Sequence, residues 1–364
     1  MQIQTRRAAS IASDPRTAAR ELFEALHVDD LALAIFHCSP SYDLEALGAA
    51  LSELFGCDAP LIGCTTVDHG APDGPLERSI SGVSLAGPGV LAHTERIDRL
   101  RDVEPARSEA AARRALHAIS HHGIAQGGAS CFGFVLCDGL AIQEEALIGA
   151  LYGNLHGIQL VGGSAGDGAR FASTHLYHGG RFHTDCALFT LMSIQAAFKV
   201  FKTEHFTPSV HKLVVTGADP ARRIVTEING HPAAREYARK VGIAADQLTP
   251  ATFDTRPVAV SIAGNWYVRS IEQVNDDGSL SFHGAIDEGT VLTVARTVDV
   301  ARNLEQMFAG APREPGPPGL VLGYDCTKRY LEIEQLGCRA QIGTMFADHR
   351  AVGLAIDGEP YSAM

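Results

Sequence analysis

The chain has 364 residues, 46% of them hydrophobic and 20% charged, with a formal net charge of −12 and a pI near 5.7. That size and balance describe a globular protein of two or three domains with enough apolar residues to bury a large core without disulfides or a structural metal. The acidic balance disfavours nucleic acid and anionic membrane surfaces as partners, and no run of about 18 apolar residues offers a membrane span.

Residues 1–20 carry Arg6 and Arg7 with no apolar segment behind them, so a secretory signal is not expected. Residues 1–30 read as an N-terminal extension. Residues 31–38 (LALAIFHC) form a continuous apolar run, the pattern of a strand covered on both faces. Leu44, Leu47, Leu51, Leu54 and Phe55 then recur at helical spacing. Residues 60–66 (PLIGCTT) read as a second buried strand and 80–85 (ISGVSL) as a third. Residues 101–122, rich in Ala, Arg and Glu, read as a solvated helix.

The phrase then recurs. Residues 131–137 (CFGFVLC) predict a strand, 143–155 a helix, and 159–167 (QLVGGSAGD) a strand and glycine loop. Residues 176–178 and 181–192 predict two strands joined by the Gly179-Gly180 turn. A third copy follows near the end: 319–326 (GLVLGYDC), a helix over 330–345, and 351–359 (AVGLAIDGE). Cys38 to Gly63 is 25 residues, Cys137 to Gly162 is 25, and Cys326 to Gly353 is 27. Matching order and spacing predict an internal repeat.

Between copies two and three the pattern changes. Residues 223–230 and four short runs at 257–262, 265–274, 280–285 and 291–295 read as strands. Residues 231–241 read as a helix, and Asp276-Asp277-Gly278 as a hairpin turn. Residues 311–319 (APREPGPPG) form a linker. The expected fold class is α/β: three repeated β-α-β units forming mixed sheets covered by helices, with an inserted α+β region.

Residues 62–66 (IGCTT), 162–171 (GGSAGDGARF), 227–230 (EING), 267–271 (YVRSI) and 287–289 (DEG) together resemble the FIST-domain sensor family, with its FIST N and FIST C halves. The resemblance covers about 31–361. It implies an N-terminal half at 31–198 holding two copies. The C-terminal half is 199–364, with the insert at 199–307, the linker at 311–319 and the third copy at 319–361. It also implies a non-enzymatic, cytoplasmic sensory protein. Residues 198–219 are similar to the nitric-oxide-sensing haemoprotein subgroup of the family, NosP. That similarity implies haem b as cofactor, nitric oxide as ligand and a histidine kinase as partner, with a homodimer possible. The alternative is a sensor of a small metabolite such as an amino acid, without haem; a further alternative is an enzyme of unknown type. Two features depart from the family pattern. Val67-Asp68-His69 stands where Ala-Gly-Glu is usual, and a further strand usual after the third copy's Gly-Glu does not follow within the 364 residues.

Six turns at strand ends are candidates for a shared pocket, because ligands bind beyond the carboxyl ends of strands in α/β sheets. Cys38, Asp138 and Cys326 mark one turn in each copy. Cys64, Thr65, Thr66, Ser164, Asp167 and Glu359 mark the other, with Arg329 near the third copy's first turn. The bland reading is that the glycines supply a positive φ where a strand turns into a loop. For a haem iron the axial candidates are His205, between Phe201 and Phe206, then His178 and His183, and His69 beside a pocket turn. No C-x-x-C-H, G-x-S-x-G, H-E-x-x-H or P-loop pattern occurs, which disfavours covalent haem and the common catalytic sites. The eight cysteines form no C-x-x-C pair, so neither a zinc ribbon nor a disulfide framework is expected.

Overall fold

The computed structural model describes residues 3–66, 68–71, 74–77, 79–121, 131–141, 143–167, 173–262, 264–310 and 316–356. The chain forms two compact units, one of residues 1–202 with 304–364, the other of residues 203–303. Among the described residues no helix is long and apolar enough to cross a membrane.

The first unit begins with β1 (Gln4–Ser10), α1 (Pro15–Leu26), β2 (Leu31–Cys38), α2 (Leu44–Phe55), β3 (Leu61–Thr65), β4 (Asp68–Ala71), β5 (Gly74–Glu77), β6 (Ile80–Ala86) and β7 (Val90–Asp98). It continues through α3 (Pro105–His121), β8 (Cys131–Asp138), α4 (Glu144–Tyr152), β9 (Leu160–Ala165), β10 (Leu176–His178), β11 (Arg181–His183) and β12 (Cys186–Ile194). The second unit holds β13 (Phe206–Asp219), β14 (Ile224–Ile228), β15 (His231–Pro232), α5 (Ala233–Val241), α6 (Pro250–Thr255), β16 (Val258–Ile262), β17 (Asn265–Arg269), β18 (Ile271–Val274), β19 (Leu280–Phe282) and β20 (Val291–Thr297). After α7 (Val300–Ala309), the chain completes the first unit with β21 (Val321–Cys326), α8 (Thr327–Leu336), α9 (Arg339–Asp348) and β22 (Ala351–Ile356).

The repeat is physical. Each copy forms a parallel strand pair: β2 with β3, β8 with β9 and β21 with β22. In the first two copies the later strand β6 or β12 returns antiparallel beside the first strand of the pair. The hairpins between cross to other copies. β4 of copy one pairs with β22 of copy three, and β10 of copy two pairs with β3 of copy one. Three sheets result, ordered β1-β6-β2-β3-β10-β11, β7-β12-β8-β9 and β21-β22-β4-β5.

Several sequence expectations need correction. The third copy's single helix is two, α8 and α9, broken at Gly337, which sits at a φ of 64°. The run at 181–192 is interrupted at Asp185, also left-handed, so β11 stays with copy one's sheet while β12 joins copy two's. The helix of the insert starts at Ala233, because His231–Pro232 pairs with β14. Residues 4–26 are no appendage: β1 extends the first sheet, and α1 buries Ala18, Ala19, Leu22 and Leu26 against it. Asp14 caps that helix by accepting from the Thr17 amide at 2.8 Å.

The repeated glycines do not serve positive φ. Neither Gly63 nor Gly162 adopts it. What they allow is close approach. A Cβ at Gly162 would lie 1.8 Å from the Val135 carbonyl oxygen, on the strand it pairs with, and one at Gly63 would lie 2.6 Å from the Phe36 ring.

In the first unit α1 and α2 cover one face of the first sheet, and α3 and α4 cover one face of the second. The opposite faces meet in a shared core: Leu33, Ile35, Ile62 and Val83 from copy one, Phe134, Leu136, Leu188 and Met192 from copy two, and Val352 with Leu322 and Tyr324 from copy three. The second unit has its own core, built from Leu213, Val225, Leu292 and Val294 of the sheet against Tyr237 of α5 and Phe253 of α6.

Gly162→Ala should cost about 2–3 kcal/mol or more, because backbone must move to admit the methyl group. Gly149→Ala, in α4 with open space around it, should stabilise by about 0.5–1 kcal/mol. Urea unfolding of both variants checks the contrast; equal effects would remove the close-approach account. In the second unit, buried Glu236 accepts from Arg239 at 2.6 and 2.7 Å and from Asn229 at 2.9 Å. Those bonds, Arg239 first, hold its carboxyl down to about 2 from 4.5. The stabilisation is therefore present above pH 4.5 and lost as pH falls toward 2. Glu236→Gln should cost about 1–2 kcal/mol at neutral pH, the exposure of Arg239 moderating it. The gap to wild type should shrink in acid thermal melts.

Candidate functional site

The parallel strand pairs direct their carboxyl ends toward a set of buried polar side chains in the first unit. Thr65 and Thr66, at and just past the end of β3, are fully buried. Thr65 is tied to copy two three times. Its amide donates to the His175 carbonyl at 2.9 Å, its Oγ1 accepts from the His175 amide at 3.1 Å, and its carbonyl accepts from the Gly166 amide at 3.1 Å. The Thr66 amide donates to the Cys38 carbonyl at 2.9 Å, which joins the two turns of copy one.

Asp138 ends β8 and is 2% exposed. Its Oδ1 accepts from the Leu140 amide at 3.0 Å and from the Thr174 hydroxyl, and its Oδ2 from the Asp185 amide at 2.7 Å. Three donors from three segments make it a structural pin at the crossing of the copy-two hairpin. Ser164 Oγ is 3.2 Å from Cys137 Sγ, both buried. Asp167, 3% exposed, accepts from the Ser173 amide at 2.9 Å through Oδ2. His175 lies within the field of Asp138 and Asp167, yet burial is the larger effect and lowers its pKa, which favours the neutral ring.

Copy three contributes Arg329, on α8 and 4% exposed, whose Nη1 contacts both oxygens of Asp325 at 3.0 and 3.1 Å. Tyr324 of β21 reaches between copies. Its hydroxyl is 3.4 Å from His37 Nε2 and its ring 5.3 Å from that of Phe134. Burial of that hydroxyl raises its pKa well above the ordinary value. The side chains of Cys326 and His69, and all of Glu359, lie outside the described residues.

Thus the ends of copies one and two are joined at Thr65 through the His175 and Gly166 backbone, with Asp138 tying Thr174 and Asp185 beside them. Ser164 instead meets Cys137 in the core under α3 and α4, and Cys38, in register with Thr65, occupies the equivalent place in copy one. It packs among Ala34, Leu47 and Leu51 under the helices, where burial pushes its thiol up and keeps it unreactive. Cys64 lies on the opposite side of its strand, in the shared core.

Three polar residues on the shared-core face of these strands escaped sequence reasoning: His37, Tyr324 and Ser81. His37 is 1% exposed and pairs in register with Ser81, whose buried Oγ has no hydrogen-bond partner among the described residues. A signal was present, since His37 is the one basic residue of an otherwise apolar run.

The histidine candidates lie elsewhere. His183 has both ring nitrogens engaged: they lie 3.2 and 3.0 Å from Arg96 Nη1, and Nε2 is 3.0 Å from the His178 carbonyl, to which it donates. Burial first, then Arg96, lowers the pKa of His178; burial also lowers that of His183. His205 belongs to the second unit. It is half-buried just before β13, its ring 6.4 Å from that of Phe206. Two open clefts of about 470 and 410 Å³ lie between β7 and α3 of the first unit and are lined by charged side chains, including Glu95, Arg96, Arg107 and Arg114.

Known proteins place this arrangement. The FIST N domain matches residues 32–231 and the FIST C domain residues 233–359. No curated protein matches the chain. A solved structure described as "Cyanuric acid hydrolase: evolutionary innovation by structural concatenation" is similar over 81% of this chain and 99% of that chain, at 10% identity and a TM-score of 0.34, a likeness too loose to carry an argument. The two domain matches together span nearly all of the chain, and it belongs to the FIST family, whose domains are the sensory, ligand-binding parts of signalling proteins.

Proposed function

We propose that the protein senses a small zwitterionic metabolite of the amino-acid kind, bound where the strand pairs of the first unit end. The observation that carries this reading is the density of buried polar groups at that edge. Thr65, Thr66, Ser81, Asp167 and Arg329 are each no more than 4% exposed. Buried hydroxyls with one carboxylate and one guanidinium offer complementary groups to a small ligand bearing both charges. Arg329 is the cation for a ligand carboxylate, and Asp167 the anion for its ammonium group. They belong to different copies, so a bound ligand would bridge copies two and three. A ligand that prefers one arrangement of the copies shifts the population toward it, which is the physical content of sensing.

Haem-based sensing of nitric oxide, with control of a histidine kinase, is the second reading. His205 favours it, because it adjoins an apolar cluster of Phe206, Ala259 and Ala295 packed by Trp266 and Val268. Those residues fit an axial donor with an apolar neighbour, and a bound haem would supply the iron that takes up nitric oxide. His183 fits less well, since both its nitrogens are occupied.

A thermal-shift screen of amino acids and related zwitterions tests the first reading. A ligand at about 100 times its Kd should stabilise by about 2.7 kcal/mol, and Arg329→Ala and Asp167→Asn should each abolish the shift while remaining folded by circular dichroism. No shift with any zwitterion removes this reading. Titrating haem into the purified protein tests the second: a Soret band that moves on adding nitric oxide and disappears in His205→Ala supports it, and an unchanged free-haem spectrum excludes it.

A further inference from the structure

The β10–β11 hairpin pairs with β3 of the first sheet, and the chain then returns through Asp185 to the second sheet as β12. The hairpin therefore sits where the two sheets pack on each other. Its side chains alternate. Tyr177 and Phe182 lie on the side of α2, whereas Leu176 and its cross-strand partner His183 lie on the shared-core side. His178, two positions beyond Leu176, shares that side. On the second sheet Arg96 of β7 stands in register with Leu188 of the shared core, so it reaches toward the hairpin.

Asp98 holds the Arg96 guanidinium, at 2.8 Å from Nε and 3.1 Å from Nη2. The third nitrogen, Nη1, lies against the His183 ring, 3.2 Å from Nδ1 and 3.0 Å from Nε2. Nε2 donates to the His178 carbonyl at 3.0 Å. A neutral ring then keeps a lone pair on Nδ1 that accepts from Arg96, and it offers none to an iron. A second proton would occupy that lone pair, remove the acceptor and set two cations in contact. The charged and titratable groups around the rings are Arg96, Asp98 and Glu95 of β7, with Arg181 on the hairpin itself. β12 adds Cys186, whose thiol is pushed up to about 12 by burial and stays neutral. Glu45 and Glu53 belong to α2, which packs on the Phe182 side.

We propose that this contact is a pH-sensitive latch: neutral His183, with His178 beside it, holds the β10–β11 hairpin against Arg96 of the second sheet, and protonation of these rings loosens it. The effect reaches the strand ends, because the hairpin is entered through His175, whose backbone makes two of the bonds that fix Thr65. Burial lowers the pKa of both rings, so the folded chain binds fewer protons than the unfolded one. The latch is therefore complete above 6.5, the ordinary imidazole value, and is lost as pH falls below it. The Glu236 effect lies in a separate window, below 4.5.

Amide exchange of the full chain tests this, expressed as protection so that the intrinsic pH dependence is removed. As pH falls from about 7.5 to about 5.5, protection of residues 176–183 should drop several-fold while that of β20 in the second unit holds. His183→Gln keeps a donor and an acceptor but takes no proton; it should match wild type at the higher pH and lose most of the drop. Arg96→Gln should weaken the hairpin at the higher pH and flatten its response to acid. In the wild type, the His183 imidazole should titrate below 6.5 by NMR and move up in Arg96→Gln. A His183 that titrates at or above 6.5 overturns the proposal, as does hairpin protection indifferent to pH. An acid response undiminished in a His178→Gln, His183→Gln double variant overturns it equally, by placing the titrating group elsewhere.

Discussion

A strand inside a protein has two polar backbone edges, and each must find partners. In the first unit exchange between copies meets this requirement at two edges. β3 is completed by β10 from copy two, and β22 by β4 from copy one. Copies one and three each take a strand from another copy, and all three bury apolar side chains against one another. The shared core of Ile35, Phe134 and Val352 follows from that dependence. So does the position of the candidate site, since hairpins leaving one copy for another must cross the strand ends where the polar side chains gather.

The crossings are held by short, specific polar contacts. Asp138 ties Leu140, Thr174 and Asp185 to the end of β8. Thr65 holds the segment entering β10 through the His175 backbone and the loop after β9 through Gly166. These residues separate into two roles. Asp138 is saturated by protein donors and serves the fold. Ser81, beside His37, has a buried hydroxyl with no hydrogen-bond partner among the described residues, and so retains capacity for a ligand.

Much of this was legible in the sequence because apolar runs and their spacing record burial directly. The strand–helix–strand order of all three copies follows from runs such as 31–38 and 131–137. The exchange of hairpins was not legible. Pairing of β4 with β22 joins residues nearly the whole chain apart, and no local pattern encodes which edge a short hairpin will meet. The glycines were visible, and positive φ was one reading of them. Turn chemistry suggests positive φ, whereas a carbonyl 1.8 Å from the would-be Cβ of Gly162 demands a missing side chain instead. His37 was passed over because it sits within an apolar run, where periodicity points only to burial; its meaning depends on Tyr324, 287 positions later.

The same dependence bears on how such a unit could signal. Tyr324 is both the residue that touches His37 and Phe134 at the centre and a residue of the half-covered β21 edge. A ligand that moves Arg329 acts one turn along the chain from Asp325, the neighbour of Tyr324 in β21. A change in the centre and a change at the edge therefore share one strand. A ligand that prefers one position of that strand shifts the population toward it.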